Sequence, residues 1–127
     1  MFKSFLPSAA AAFALLLMPT AASAHTKLVG STPAANSTVS KVTSVNLQFN
    51  EKVITSTLKT ELVMTGMPGM ANHAPMKVPY SSMMGKEGKS AMLMLKRPLT
   101  AGTYKVTWSA AGADTHRMGS EFSFTVK

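Results

Sequence analysis

Beyond the first two dozen residues, no stretch of this chain repeats apolar side chains at the three- and four-residue spacing of an amphipathic helix. Short runs that alternate apolar and polar residues dominate instead, with turn residues between them. Val45, Leu47 and Phe49 point to one side of an extended chain, while Asn46 and Gln48 point to the other. Leu62 with Met64, the run Ala91 to Leu95, Val106 with Trp108, and Phe122 with Phe124 and Val126 repeat the pattern. A first strand is expected over Lys27 to Pro33, and a short one near Val78 and Tyr80. Ala34-Ala35-Asn36-Ser37 and Gly85-Lys86-Glu87-Gly88 supply turns. Tyr104 follows a Gly turn at a strand start, the position of the tyrosine corner in Greek-key sandwiches. About seven strands fit, with no linker, internal repeat or second domain. The expected fold is all-β: a single Greek-key β-barrel or sandwich of immunoglobulin or cupredoxin type.

The opening MFKSFLPSAAAAFALLLMP places Lys3 before an apolar run, and Ala22-Ser23-Ala24 supplies small residues at a cleavage site. These are the parts of a secretory signal peptide, too short and wrongly flanked for a membrane anchor. Cleavage after Ala24 makes His25 the first residue of a mature domain spanning 25–127, which retains 103 of the 127 residues. That length supports one core. No other long apolar run follows, so the mature domain is not expected to be membrane-embedded. Cysteine is absent, and the core must suffice without disulfides. The formal charge is +8, or +7 without Lys3, but Lys96-Arg97 is the one adjacent basic pair and no basic-aromatic stripe emerges. Nucleic acid is therefore not an expected partner, whereas an acidic protein surface is a natural one.

From Met64 to Met76 the chain reads M-T-G-M-P-G-M-A-N-H-A-P-M, with a possible ligand at Met64, Met67, Met70, His73 and Met76. Gly66, Pro68, Gly69 and Pro75 rule against a helix, and spacing by three is not the alternation of a strand. In a polyproline II helix successive turns lie roughly 9 Å apart, too far for shared ligation, so side chains that meet here require a curled loop. Thioether sulfur is a soft, uncharged ligand that selects Cu(I), and imidazole complements it. The competing role for methionine is gap-filling in cores and lining adaptable binding surfaces.

A second group involves the other two histidines. At a mature N-terminus, His25 offers both its ring and its α-amine to one ion, and a metal displaces the amine proton near neutrality. Asp114-Thr115-His116 places a carboxylate and an imidazole two residues apart, on one face if the chain is extended there. Together these make an N,O set suited to tetragonal Cu(II). A surface ion pair between Asp114 and Arg117 is the plain alternative. Packing accounts for Met83, Met84, Met92, Met94 and Met118 without ligation, with Met92 and Met94 sharing a core-facing side and Met83-Met84, next to a turn, offering a wider Met-rich surface as the alternative.

The start H-T-K-L-V-G-S-T-P-A, the loop M-T-G-M-P-G-M…H-A-P-M and the segment L-T-A-G-T-Y-K-V-T-W…D-T-H together resemble the periplasmic copper-resistance proteins of the CopC and PcoC family. The resemblance spans the mature region. It implies a Greek-key β-barrel with copper sites at opposite ends, a Met-rich Cu(I) site and a Cu(II) site with the N-terminal His. By position, Met64, Met67, Met70, His73 and Met76 are its Cu(I) candidates, and His25, Asp114 and His116 its Cu(II) candidates. It further implies a copper carrier that is not an enzyme, exchanging copper with an inner-membrane CopD-type protein and other periplasmic copper proteins. Three departures stand out. The Met70-to-His73 gap is one residue longer, Thr26 replaces a common Pro and is expected to loosen the chain behind His25, and Arg117 replaces another and is expected to set a cation beside the Cu(II) site.

Two other roles compete. An N-terminal His with a second His also forms the copper brace of polysaccharide monooxygenases, which are enzymes. Those need a broad aromatic face, and this chain has only Trp108, Tyr80 and Tyr104 as polar aromatics. A metal-independent interaction domain that docks through its methionine loop is the other.

Overall fold

Two β-sheets bury the apolar sides of the alternating runs against each other. The computed structural model describes residues 25–71 and 73–127, so the expected signal peptide lies outside the described residues. Among the described residues nine strands run in order: β1 Leu28–Thr32, β2 Thr38–Val39, β3 Ser44–Phe49, β4 Lys59–Gly66, β5 Met76–Lys77, β6 Tyr80–Met84, β7 Ser90–Leu95, β8 Gly102–Ala111 and β9 Arg117–Val126. One sheet has the order β1-β3-β7-β6 and the other β2-β9-β8-β4-β5. Seven strands have five residues or more, while β2 and β5 have two each. A dipeptide is too short to show a period, which is why the sequence hides those two. Neighbours β4 and β8 are separated in the chain by β6 and β7 of the opposite sheet, the long-range connection of a Greek key.

The core takes the sides that alternation marks. Val45, Leu47 and Phe49 of β3, Leu62 of β4, and Val106 and Trp108 of β8 are all buried. Phe49 meets Trp108 edge-on between the sheets at a centroid distance of 5.1 Å, and Tyr104 stacks on its register partner Phe124 at 5.7 Å. The Tyr104 hydroxyl donates to the Thr100 carbonyl at 2.6 Å, closing the tyrosine corner. Burying the ring while its polar tip stays hydrogen-bonded is what permits a tyrosine here.

One facing is opposite to expectation. In β7, Ala91 and Leu93 are buried, whereas Met94 is exposed and Met92 half-buried. The run S-A-M-L-M-L offers two apolar sides, and local alternation does not rank them. Pairing with β3 does: Leu93 lies opposite Val45, and Ala91 opposite Leu47, so those residues share the core side. The methionines face outward.

Candidate metal centres

The first centre forms where the β8–β9 hairpin meets the start of the described chain. Residues 112–116 connect the two longest strands, and His25 lies beside them just ahead of β1. Asp114 Oδ2 is 3.4 Å from His25 Nδ1 and 3.5 Å from His116 Nδ1. One ligand atom from each of the three residues lies within 4.8 Å of the others, and the two imidazole centroids are 5.8 Å apart. The carboxylate side chain is 20% exposed, against 48% and 69% for the two imidazoles, so the anion is the half-buried hub and the rings are its open rim.

Strand alternation does not create this pairing. Asp114 to His116 is a turn, with Thr115 at φ 63, a left-handed conformation rare for a β-branched residue. The His116 amide donates to Asp114 Oδ1 at 3.1 Å, and the Thr115 amide donates to the Gly112 carbonyl at 2.9 Å. This local strain is held by hydrogen bonds at the point where the three side chains converge.

His25 is tied down by residues with no motif to mark them. Asn50 Nδ2 donates to the His25 carbonyl at 3.0 Å, and Asn50 Oδ1 accepts the Lys27 amide at 2.8 Å. Thr26, 1% exposed, donates its hydroxyl to Glu51 Oε1 at 3.0 Å. The expected loosening at Thr26 is therefore reversed: the hydroxyl that a proline lacks fastens the chain behind His25. The plain alternative of an Asp114–Arg117 surface ion pair is not what the structure forms. The Arg117 guanidinium donates to the Thr57 carbonyl at 3.0 Å and to Ser109 Oγ at 2.8 Å, and among the described residues no ion pair joins it to Asp114. Two neutral acceptors, one in the 55–57 segment and one on β8, take its hydrogen bonds instead.

Gly112 is the other unforeseen contributor. A Cβ there would lie 1.9 Å from Glu51 Oε1 and 2.6 Å from Thr26 Oγ1, so only glycine allows the Thr26–Glu51 bond beside the hairpin. Gly112→Ala is expected to lower stability by about 1–3 kcal/mol, as overpacking does. Urea unfolding measures it, and an unchanged midpoint would show that Glu51 swings aside freely.

The methionine stretch forms a second centre, as the hairpin between β4 and β5. Met64 and Met76 are register partners, and Met67 and Met70 exchange both amide-to-carbonyl bonds at 2.9 Å. Pro68 and Gly69 occupy the centre of that tight turn, with Gly69 at φ 81, as a type II turn requires. Spacing by three along the chain has thus become two facing pairs across a hairpin. Met70 and Met76 are each 52% exposed, and Met67 is half-buried against the core. Met64 differs: it is buried in the core and, with Met76, Val78, Leu99 and Tyr104, lines a cleft of about 380 Å³.

His73 completes the group. Its amide donates to the Thr65 carbonyl at 3.1 Å, and its Nδ1 lies 2.8 Å from the Ala74 carbonyl. A carbonyl carries no proton, so Nδ1 is the donor, and in the neutral ring Nε2 keeps its lone pair. That Nε2 is buried with no hydrogen-bond partner among the described residues. Buried polar atoms are rarely left so, and an imidazole with one N–H on a backbone carbonyl and the other nitrogen open is the arrangement of metal-ligating histidines. The donor set of this centre fits a soft metal ion.

Between the two centres runs β8, ten residues long, from Gly102 beside the methionine hairpin to Ala111 beside Gly112. At ~3.3 Å per residue the centres stand about 30 Å apart.

The CopC domain profile matches residues 28–127. Copper resistance protein C of Pseudomonas syringae pv. tomato is 42% identical over 112 residues, covering 88% of each chain. Copper resistance protein C of Escherichia coli is 40% identical over 106 residues, covering 84% of each. The crystal structure of PcoC from Escherichia coli, described as a methionine-rich copper resistance protein, superposes with a TM-score of 0.74 at 38% identity, over 82% of this chain and all of that one.

Proposed function

The chain belongs to the CopC family of copper-resistance proteins, and from that membership we propose that it is a periplasmic copper carrier with two sites selective for different oxidation states. The observation that carries the reading is the convergence of His25, Asp114 and His116 on one point, with a backbone turn built to hold them. His25, through ring and amine, with Asp114 and His116, takes Cu(II) as cargo; the set is hard enough and mixed enough for tetragonal coordination. Met67, Met70, His73 and Met76 take Cu(I), with Met64 beneath them on the core side. Thioethers on an exposed hairpin exchange a metal ion with a partner more readily than a buried thiolate cage does. Partners of that exchange are an inner-membrane CopD-type protein and other periplasmic copper proteins. Cleavage after Ala24 creates the His25 amine and delivers the domain to the periplasm.

A carrier is favoured over an oxidative enzyme. Asp114 Oδ2 sits between the two imidazoles, where an oxidant would need an open coordination position. Trp108 and Tyr104 are buried, and the Tyr80 hydroxyl donates to the Thr60 carbonyl at 2.6 Å, so among the described residues no polar aromatic stands open as a platform for a polysaccharide.

Copper stoichiometry tests the proposal on protein beginning at His25, with Cu(I) under anaerobic reductant and Cu(II) in separate titrations. One equivalent of Cu(II) and a first, tight equivalent of Cu(I) are expected, and both together without mutual competition. Failure to retain either ion through gel filtration would overturn it.

A further inference from the structure

Three methionines outside the hairpin share the outer face of one sheet. Met83 of β6 lies directly opposite Met92 of β7, and Met94 follows two residues later on the same side. Ala91 and Leu93 take the inward side of β7, so these three side chains stand on the outer face of the four-stranded sheet. Met83 is 55% exposed and Met94 47%. Across the sheet, Ser44 and Ser81 flank Met94, and Asn46 flanks Met92 on the side away from Met83. The face around the methionines is thus small and polar, and none of these register partners is a lysine or arginine, in a chain of formal charge +8.

Residues directly opposite in an antiparallel pair have Cβ atoms about 4.5–5.5 Å apart, and diagonal neighbours lie about 7–8 Å apart. Methionine is unbranched, with three rotatable bonds, so thioethers rooted at those spacings reach a common point. Met83 and Met94, exposed on the sheet, gain little from burial, and all three lack the β-branching that favours strands. What they share is soft, neutral sulfur, with no charged residue among their direct register partners.

We propose that Met83, Met92 and Met94 form a second soft-metal site, for a monovalent thiophilic cation of the Cu(I) or Ag(I) type, distinct from the hairpin on the other sheet. Lacking an imidazole, it binds more weakly than the hairpin and fills after it. It enlarges the capacity of the carrier without altering either of the other centres. This inference goes beyond the carrier reading and stands without the hairpin being a site.

Silver titration of protein beginning at His25, with methionine methyl groups labelled with carbon-13, tests it. Ag(I) serves as a redox-inert probe, and each methyl resonance reports its own sulfur. In a Met67→Leu, Met70→Leu, Met76→Leu variant, the Met83, Met92 and Met94 resonances are expected to move together and saturate at one equivalent. The Met84 resonance, packed against the core, serves as the unmoved reference. A further Met83→Leu, Met92→Leu, Met94→Leu change is expected to abolish that equivalent. The inference is overturned if the three resonances stay still, or if they drift without saturating past several equivalents. Movement of these three with a silent hairpin in the parent protein would instead overturn the proposed Cu(I) hairpin while supporting this site.

Discussion

One extra residue ahead of His25 is expected to lower Cu(II) affinity by more than about 100-fold, since disturbing outer-shell partners alone costs 10–100-fold and this change removes a ligand. The α-amine becomes an amide, which neither ionises near neutrality nor coordinates as an amine does. His116→Ala is expected to have an effect of similar size by removing the exposed imidazole on the other side of Asp114. Competition against a chromophoric chelator measures both. Cu(I) affinity serves as the control and should not change, because sites this far apart with no shared partner act independently. Unaltered Cu(II) affinity in the extended protein would mean that the terminal amine takes no part, and the centre would reduce to two imidazoles and a carboxylate.

The second large effect concerns the hairpin. Met67→Leu with Met70→Leu should lower Cu(I) affinity by at least about 100-fold, on the same reasoning that losing ligands exceeds losing their outer-shell partners. Leucine preserves apolar volume, so stability is expected to change by less than about 1.5 kcal/mol. The turn itself rests on Pro68, Gly69 and two backbone bonds, none of which the variant touches. The comparison separates two chemistries. A hydrophobic docking loop would keep its partner with leucine in place of methionine, whereas a thioether site loses its metal. Anaerobic competition titration and urea unfolding on the same samples supply both readings. Full Cu(I) binding by the double variant would reassign the ligation to His73 and Met76, or remove it from the hairpin.

The amino-acid sequence by itself determined the fold class and most strand faces, because alternation and turn chemistry act between residues close along the chain. Val45, Leu47 and Phe49 are buried, the turns at Ala34–Ser37 and Gly85–Gly88 close with their own hydrogen bonds, and Tyr104 makes its corner. It also marked the candidate ligands, since imidazole and carboxylate are scarce here and the methionines of the hairpin recur at fixed spacing. Tertiary structure alone decided how those residues are arranged. Residues 25 apart in the chain, His25 with Asn50 and Thr26 with Glu51, meet only because β1 pairs with β3. Strand pairing likewise turned β7 so that Leu93 faces in and Met92 and Met94 face out, a choice between two apolar sides that no local period makes. The same holds for the methionine hairpin: spacing by three is visible in one dimension, but which sulfurs face each other depends on where the chain doubles back.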